Sequence, residues 1–350
     1  MRYSRVFIEA IGYELPPVVV TSDELEGRLK GVYDALRIPR GQLESLTGIV
    51  ERRWWDPGYP ISEGATAAAK HALCGSSVRP ADIDVLIYAG VCRELLEPAT
   101  ACRVAAKVGV GTGAAIYDLS NACLGVLNGM VDIANRIELG QIRAGMVVSC
   151  ETSREINDIA IEKMLKARSM DTFKDSLATL TGGSGAVAVI LTDGSFTGPK
   201  RRRLVGGVTQ NAPQFHSLCR WGFEALNSLA PSQFHQFMAT DSIAVLKHGV
   251  ELGHKTWKAF LRKLGWREEQ VDKVICHQVG SSHRSTVLNS LGIDMKKEFS
   301  TYTHLGNIGT VSLPLTAAMA EERDFLRAGD RVGLLGIGSG LNCLMLGVEW

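Results

Sequence analysis

The chain has 350 residues, a length that suits two similar domains or one large α/β domain. Its apolar fraction of 45% and charged fraction of 21% are those of an ordinary soluble globular protein. A formal net charge of +1 argues against a dedicated nucleic-acid-binding protein, which would present a strongly basic face. The one basic run, residues 200–203, is interpreted as a solvated turn; a contact for a phosphate-bearing substrate or an acidic carrier protein is the weaker alternative.

No segment suggests export or membrane insertion. The first residues, MRYSRVFIEAIGYELPP, contain no long apolar core of the signal-peptide kind, and no apolar stretch reaches the ~18 residues that a membrane span needs. The eight cysteines are scattered without a C-x-x-C pair, and neither a zinc spacing nor a phosphate-binding loop is found. We therefore expect a cytoplasmic protein with no metal and no resident cofactor.

Short apolar runs alternate with amphipathic stretches, which predicts an α/β protein. The predicted strands are 5–15, 84–92, 114–120, 145–151, 184–193, 204–210, 272–278, 297–303, 331–339 and 342–350. The predicted helices are 21–36, 61–76, 124–140 and 242–265.

The order of elements occurs twice along the chain. Residues 79–90 and 267–278 each place a polar segment before an apolar strand, and each leads to a small-residue turn followed by a helix. The first turn contains Cys123 and the second contains Asn307. Chance likeness of two common α/β units is the alternative. We interpret the pattern as duplication, with halves 1–194 and 195–350 related by a pseudo-dyad.

The sequence NACLGVLNGM places Cys123 where a strand passes into a helix. Unpaired amides and the helix dipole at such a position favour an anion, which lowers a thiol's pKa and supplies a nucleophilic thiolate. A small residue packed at a helix start is the favoured explanation of this cysteine taken alone.

Two further residues favour the nucleophile. His277 ends the strand VDKVICHQ beside a polar, glycine-containing turn, a common position for a catalytic base. Asn307 lies in the turn HLGNIG and offers a donor that does not titrate, suited to a carbonyl oxygen that gains negative charge. A hydrogen-bonded histidine and a plain turn asparagine are the alternatives. Together, Cys, His and Asn form a constellation for acyl transfer onto sulfur.

The ordered set NACLG, HQ, HLGNIG and GIGSGLN, spread over nearly the whole chain, resembles the thiolase superfamily, specifically the ketoacyl-ACP synthase III branch. The resemblance implies a five-layer αβαβα fold, a homodimer, and a triad of Cys123, His277 and Asn307. It also implies that the acyl group is carried on Cys123 and that the backbone amides of Cys123 and Ser339 form the oxyanion hole.

Two departures point to a different donor. Val279 and Gly280 follow His277-Gln278 where synthase III enzymes have Ala-Asn, and Glu97 precedes Pro98 where those enzymes tend to have an aromatic residue. With these departures the chain is similar to the OleA-type enzymes of olefin biosynthesis, which join two long-chain acyl-CoAs into a β-keto acid. CoA thioesters are then substrates, with acyl carrier protein as an alternative carrier.

The departure at Glu97 has a chemical meaning. A malonyl donor forms its carbanion by losing CO₂, whereas an ordinary acyl-CoA must lose an α-proton to a base. Glu97, reaching the site of the neighbouring subunit, is our candidate for that base. An exposed loop acid beside Glu94 is the alternative.

Two alkyl chains also require two apolar channels. The amphipathic insertion at about 152–180 is a candidate lid, and the aromatic-rich region 215–237 is a candidate lining. A surface helix pair and ordinary core packing explain these segments equally well.

Other functions stay open at this point. A decarboxylating β-ketoacyl-ACP synthase III of fatty-acid or polyketide initiation is the main alternative, and a transacylase that makes no carbon–carbon bond is a second. A non-catalytic partner subunit of the same fold is a third, although such partners usually lose the nucleophile.

Overall fold

A computed structural model describes residues 1–196, 202–225 and 234–350, with backbone alone at residues 225, 234 and 235. Thirteen strands lie in these ranges: β1 Phe7–Glu14, β2 Val18–Thr21, β3 Glu51–Trp54, β4 Val85–Ala89, β5 Ala115–Leu119, β6 Ala144–Glu151, β7 Gly185–Thr192, β8 Arg202–Asn211, β9 Cys219–Ala225, β10 Phe234–Thr240, β11 Lys273–Cys276, β12 Arg331–Gly338 and β13 Asn342–Glu349.

The same ranges contain twelve α-helices: α1 Ser22–Arg28, α2 Lys30–Leu36, α3 Gln42–Thr47, α4 Ile61–Cys74, α5 Thr100–Val108, α6 Gly125–Glu138, α7 Arg154–Ala167, α8 Met170–Leu180, α9 Ser242–Leu264, α10 Ser281–Leu291, α11 Tyr302–Leu305 and α12 Ser312–Glu322. No helix in the described ranges is long and apolar enough to cross a membrane.

Nine strands form one mixed sheet in the order β11-β12-β13-β8-β1-β7-β6-β4-β5. Strand pairing is least extensive in the middle of the sheet, where β1 pairs with β8 through only Phe7–Arg203 and Ile8–Arg202. This junction separates a five-stranded portion, β1-β7-β6-β4-β5, from a four-stranded portion, β8-β13-β12-β11. Small sheets β2-β3 and β9-β10 lie outside it.

Helices cover both portions, which gives five layers. One apolar core contains α6 and α12 together with side chains of both sheet portions, so these two helices form the middle layer. A second core packs α4 and α5 on the outer face of the first portion, and a third packs α9 and α10 on the outer face of the other. In β4, Val85 and Ile87 face the middle layer whereas Leu86 and Tyr88 face the outer one. The expected αβαβα architecture of two similar halves is confirmed.

The predicted boundary between residues 194 and 195 falls between β7 and β8, and it stays a prediction. The predicted helix 21–36 is two helices, because the chain turns at Leu29 (φ −92°, ψ 9°) between α1 and α2. Thr21 caps α1 through a reciprocal pair of hydrogen bonds with Glu24.

The predicted strand 297–303 is wrong. Only an isolated bridge between Glu298 and Val274 remains of it, and α11 begins at Tyr302. The side chain of Gln278, which is 2% exposed, supplies hydrogen bonds to this segment in place of a neighbouring strand. Its Oε1 accepts hydrogen bonds from the N–H groups of Thr301 and Tyr302, at 2.7 and 3.0 Å. This amide fixes the segment that leads to Asn307.

Candidate active site

Cys123 lies in a short 3₁₀ turn, Ala122–Leu124, directly before α6. Ala122 has a φ of 44°, in the left-handed region that side chains disfavour, and so turns the chain sharply between β5 and α6. The N–H of Val126, a free donor in the first turn of α6, is satisfied by Thr310 Oγ1 at 2.7 Å. The nucleophile candidate therefore stands at a helix start, with a residue of the second half closing the turn.

The acidity of the Cys123 thiol differs from the expectation. Burial raises its pKa to about 12, and the nearby Cys219 thiol and Glu151 carboxylate act in the same direction. Loss of water around the thiolate outweighs the helix dipole at this position. The prediction that the helix start lowers this pKa is therefore wrong, and the resting thiol is protonated at neutral pH.

His277 directly follows β11 and is 5% exposed. Its backbone N–H donates to the carbonyl of Leu335 in β12 at 3.0 Å. Burial, assisted by the neighbouring His283, lowers the pKa of His277 to about 3, and burial lowers the pKa of His283 to about 4. Both imidazoles are neutral at pH 7. The Nδ1 atoms of both are enclosed without a hydrogen-bond partner among the described residues.

Asn307 is fixed by its backbone and its side chain together. Its N–H donates to the Thr181 carbonyl at 2.8 Å, and its carbonyl accepts from the N–H of Gly183 at 2.9 Å. Its Oδ1 accepts from the N–H of Gly309 at 3.1 Å, which leaves the side-chain NH₂ as the free end. Within the described part of the chain that NH₂ has no partner. Two donors are thus available to an oxygen that gains charge.

The elements that carry these residues meet at β12. A Cβ on Gly338, at the end of this strand, would lie 3.4 Å from the backbone nitrogen of Cys123, and Leu335 in the same strand binds His277. The turn after Asn307 reaches the start of α6 through Thr310. The structure therefore brings the Cys123, His277 and Asn307 turns together.

Ser339 follows Gly338 and is joined to the Cys123 turn by a side-chain amide. Asn342 Nδ2 donates to the Ser339 carbonyl at 3.2 Å and to Asn121 Oδ1 at 3.1 Å. Asn121 in turn donates to Asn128 Oδ1 at 2.8 Å. Sequence reasoning missed these supporting amides, because no local pattern links positions so far apart. The oxyanion role of Ser339 stays a prediction.

Glu97 does not join the interior residues. It is exposed on the loop between β4 and α5, and its carboxylate makes no hydrogen bond or ion pair within the described ranges. Its neighbours Leu95 and Leu96 are 49% and 95% exposed. Glu94, by contrast, accepts from the N–H of Ser62 at 2.8 Å and pairs with Arg103 at 2.6 Å. Of the two glutamates in this loop, only Glu97 has a carboxylate without a hydrogen-bond or ion-pair partner in the described ranges.

The candidate lid consists of α7 and α8. Their apolar faces pack on the N-terminal helices in a separate cluster that includes Leu25, Ile161 and Phe173. In the aromatic-rich region, Phe215 stacks on His248 with ring centroids 3.8 Å apart, and Phe223 is 66% exposed. The side chain of Phe234 lies outside the described residues. A role of either segment in lining a channel stays a prediction.

The basic run is partly structural. Arg202 is 5% exposed and binds both oxygens of Glu321, at 2.9 and 2.6 Å, while Arg203 pairs with Glu349 at 2.6 Å. The interpretation of the whole run as a solvated turn is therefore wrong for Arg202. Residues 200 and 201 lie outside the described residues.

A family model, "3-Oxoacyl-[acyl-carrier-protein (ACP)] synthase III C terminal", matches residues 261–350. The full chain is 58% identical to an "Acyl-CoA:acyl-CoA alkyltransferase" of Shewanella oneidensis, with both proteins covered completely. It matches the crystal structure of cerulenin-bound OleA from Xanthomonas campestris with a TM-score of 0.93 and 36% identity, over 100% of this chain and 98% of that one.

A cysteine-to-serine variant of the Xanthomonas enzyme, solved with bound lauric acid and lauroyl-CoA, matches with a TM-score of 0.91 and 35% identity, over 99% of this chain and 100% of that one. In another structure of the same enzyme a glutamate has been replaced by glutamine. The substituted glutamate and cysteine are separated in that sequence by the same number of residues as Glu97 and Cys123 in this one.

Proposed function

The chain belongs to the acyl-CoA:acyl-CoA alkyltransferase family, the OleA-type branch of the thiolase superfamily, and we propose that it joins two acyl-CoA thioesters head to head without decarboxylation. The product is a β-ketoacyl chain, released as the β-keto acid. The observation that carries this proposal is the pairing of an interior Cys-His-Asn site with an unpartnered, exposed Glu97 on a separate loop. We assign the long-chain acyl-CoA class to both substrates.

The first step loads an acyl group onto Cys123. The thiol sulfur attacks the carbonyl carbon of the first acyl-CoA, the bond to the CoA sulfur breaks, and the thiol proton leaves with the CoA thiol. The amides of Cys123 and Ser339 stabilise the negative oxygen of the tetrahedral intermediate. Because the resting thiol is protonated and His277 is neutral, the imidazole can accept this proton and pass it to the departing sulfur.

The second step forms the carbon–carbon bond. Glu97 of the other subunit removes an α-proton from the second acyl-CoA, and the carbanion attacks the acyl group on Cys123. The Cys123 sulfur departs as a thiolate and takes up a proton from solvent, to which Glu97 releases the proton that it removed. The His277 imidazole and the free NH₂ of Asn307 stabilise the enolate oxygen of the second thioester. Hydrolysis of the β-ketoacyl-CoA by water then gives the β-keto acid and a second CoA.

The assignment of Glu97 as base is supported by three observations. Its carboxylate is not engaged within its own chain, its neighbours Leu95 and Leu96 present exposed apolar surface, and its separation from the cysteine matches that in the Xanthomonas enzyme. An apolar, exposed loop tip suits insertion into a second copy of the chain. We therefore assign the chain to a homodimer in which each Glu97 completes the other site.

The decarboxylating alternative, a β-ketoacyl-ACP synthase III of fatty-acid or polyketide initiation, is not favoured. The full-length relatives are acyl-CoA:acyl-CoA alkyltransferases, and the synthase III family model matches only the C-terminal quarter of the chain. The reaction proposed needs neither metal nor resident cofactor, and CoA rather than acyl carrier protein is the assigned carrier. A cytoplasmic location stays a prediction.

One incubation tests the proposed function. The protein is given a single long-chain acyl-CoA and no malonyl donor, and the products are identified by mass spectrometry. We expect the β-keto acid of doubled chain length, or the ketone formed when it loses CO₂. If coupling occurs only after malonyl-CoA or malonyl carrier protein is added, the proposal is wrong.

A further inference from the structure

Glu151, the last residue of β6, is a buried carboxylate that the proposed reaction does not use. It is 5% exposed, and its backbone carbonyl accepts from the indole N–H of Trp55 at 3.1 Å. Burial raises the pKa of its carboxyl group, while hydrogen bonds from Cys92 and Val91 act in the opposite direction. Burying a carboxyl group costs free energy unless its oxygens accept hydrogen bonds, so the groups that donate to Glu151 indicate its role.

Those partners are Val91 and Cys92, the first residues of the loop that carries Glu97, and we call them the loop root. One carboxylate oxygen accepts from the N–H of Val91 at 2.9 Å, and the other accepts from the N–H of Cys92 at 3.1 Å. A Cβ on the preceding Gly90 would lie 3.1 Å from Glu151 Oε1, so glycine allows this close approach. The start of the loop is therefore held by both Glu151 oxygens, together with the Tyr88 hydroxyl, which donates to the Cys92 carbonyl at 3.0 Å.

Glu151 also lies beside the Asn307 turn. Gly309, whose N–H orients the Asn307 side chain, has a φ of 59°, and a Cβ there would lie 3.5 Å from Glu151 Cγ and 3.8 Å from its Oε1. The same carboxylate influences the Cys123 thiol electrostatically. One side chain thus lies between the interior site and the loop that leaves it.

We propose that Glu151 is a positioning residue that aims the Glu97 loop into the partner's active site, so that its effect on condensation is exerted in trans. This inference rests on the proposed function, because it requires Glu97 to act across a dimer. The direct bonds of Glu151 go to the loop, whereas its contact with the Asn307 turn is van der Waals only. Loss of the Glu151 carboxylate therefore frees the Glu97 loop rather than the Asn307 turn.

The first test separates the two half-reactions in Glu151→Gln. Glutamine offers one acceptor and places an NH₂ against a backbone N–H, so one of the two loop bonds is lost. We expect condensation to fall about tenfold or more, since small misplacements of a reacting group are costly, while acyl loading of Cys123 changes little. Glu26→Gln is the matched control. Glu26 is 3% exposed and accepts backbone N–H bonds from Gly41 and Leu43, but it bonds no part of the Glu97 loop.

The decisive test compares two mixed dimers that contain the same two substitutions. In the first, a Cys123→Ala subunit is paired with a Glu151→Gln subunit, so the one remaining Cys123 is completed by a loop with an intact root. In the second, a wild-type subunit is paired with a subunit that carries both substitutions, so the one remaining Cys123 is completed by a loop with a damaged root. Differently tagged subunits allow each mixed dimer to be purified.

We expect the first mixed dimer to condense at about half the wild-type rate per dimer and the second at about half the rate of the Glu151→Gln homodimer. The reverse order, or equal rates, would overturn the inference. If Glu151→Gln does not fold, Glu151→Asp, which keeps the charge but shortens the reach, is tested in the same pair of dimers. Failure of the wild-type enzyme to couple a single acyl-CoA would instead overturn the proposed function.

Discussion

The turns that contain Cys123, His277 and Asn307 and the loop that contains Glu97 are fixed in different ways. Each interior turn is held by hydrogen bonds to other parts of the same chain, and His277 is buried. The Glu97 loop is bonded at its root and at Glu94, and its tip is exposed without a partner in the described chain.

This difference assigns separate tasks to the two regions. Under the proposed function, the interior turns bind and load an acyl group, because the groups assigned to that step belong to one subunit. In that proposal the loop tip acts only in the site of a second subunit. We therefore expect substitutions in the two regions to affect different half-reactions.

The largest effect is expected for Cys123→Ala, which removes the acyl carrier from the interior region. Acyl loading, followed by intact-protein mass spectrometry after addition of acyl-CoA, should fall by about 10⁴-fold or more, and condensation should be lost with it. Cys219→Ala is the matched control, since this nearby thiol influences Cys123 but is not assigned to carry the acyl group. An acyl adduct on Cys123→Ala would contradict the assignment.

Substitution in the loop should divide the half-reactions. In Glu97→Gln we expect condensation to fall about 10²-fold or more, because a general base is lost, while acyl loading continues. Glu94→Gln, three residues earlier, should leave condensation within a few-fold of wild type and cost only about 1 kcal/mol of stability through its bonds to Ser62 and Arg103. Equal losses of loading and condensation in Glu97→Gln would remove Glu97 as the base.

The pH dependence of the interior thiol is a third test. With the Cys123 pKa raised to about 12 and the His277 pKa lowered to about 3, both groups are neutral between pH 6 and 9. The thiolate fraction then grows tenfold per pH unit, so alkylation of Cys123 by iodoacetamide should rise by about tenfold for each pH unit in this range. Subtracting the rate of Cys123→Ala removes the other thiols. A plateau between pH 6 and 9 would indicate a preformed thiolate–imidazolium pair.

The smallest effect is expected for Thr310→Val, which loosens the interior turns without removing a reacting group. The Val126 N–H loses its acceptor, and the free energy of unfolding should fall by about 1–2 kcal/mol in denaturant titrations, with slower acyl loading. Thr66→Val is the control, because Thr66 donates only to the Ser62 carbonyl of α4. Loading as slow in the control as in Thr310→Val would show that the cap has no specific part in the site.

The same contrast explains how far the sequence could lead. Cys123 and His277 stand where a strand passes through a turn into a helix, so apolar periodicity and small residues locate them before any contact is known. Asn307 lies between α11 and α12, and only its glycine-containing turn marks it in the sequence. The α/β class follows from the same alternation, whereas the five-layer architecture is implied by the resemblance. Glu97 could be singled out only by resemblance, since its local sequence is that of an exposed loop and the role proposed for it involves a second subunit.

Other features depend on contacts that no local pattern contains. Glu151 ends an apolar strand and is bonded by a loop sixty residues earlier in the chain, so nothing nearby distinguishes it from a surface acid. The Gln278 side chain replaces a strand that the pattern at 297–303 predicts. The raised pKa of Cys123 reflects the packing around the thiol, which outweighs the helix-start effect used in prediction.

The most direct test of the account is the amount of CoA released by Glu97→Gln when it is mixed with excess acyl-CoA. If the interior loads and the loop condenses, release should stop after a burst of one CoA per subunit, with the acyl group on Cys123 and no β-keto acid. Wild type should continue and release two CoA per β-keto acid. Sustained coupling by Glu97→Gln, or the absence of a burst, would contradict the assignment of acyl loading to the interior turns and of condensation to the Glu97 loop.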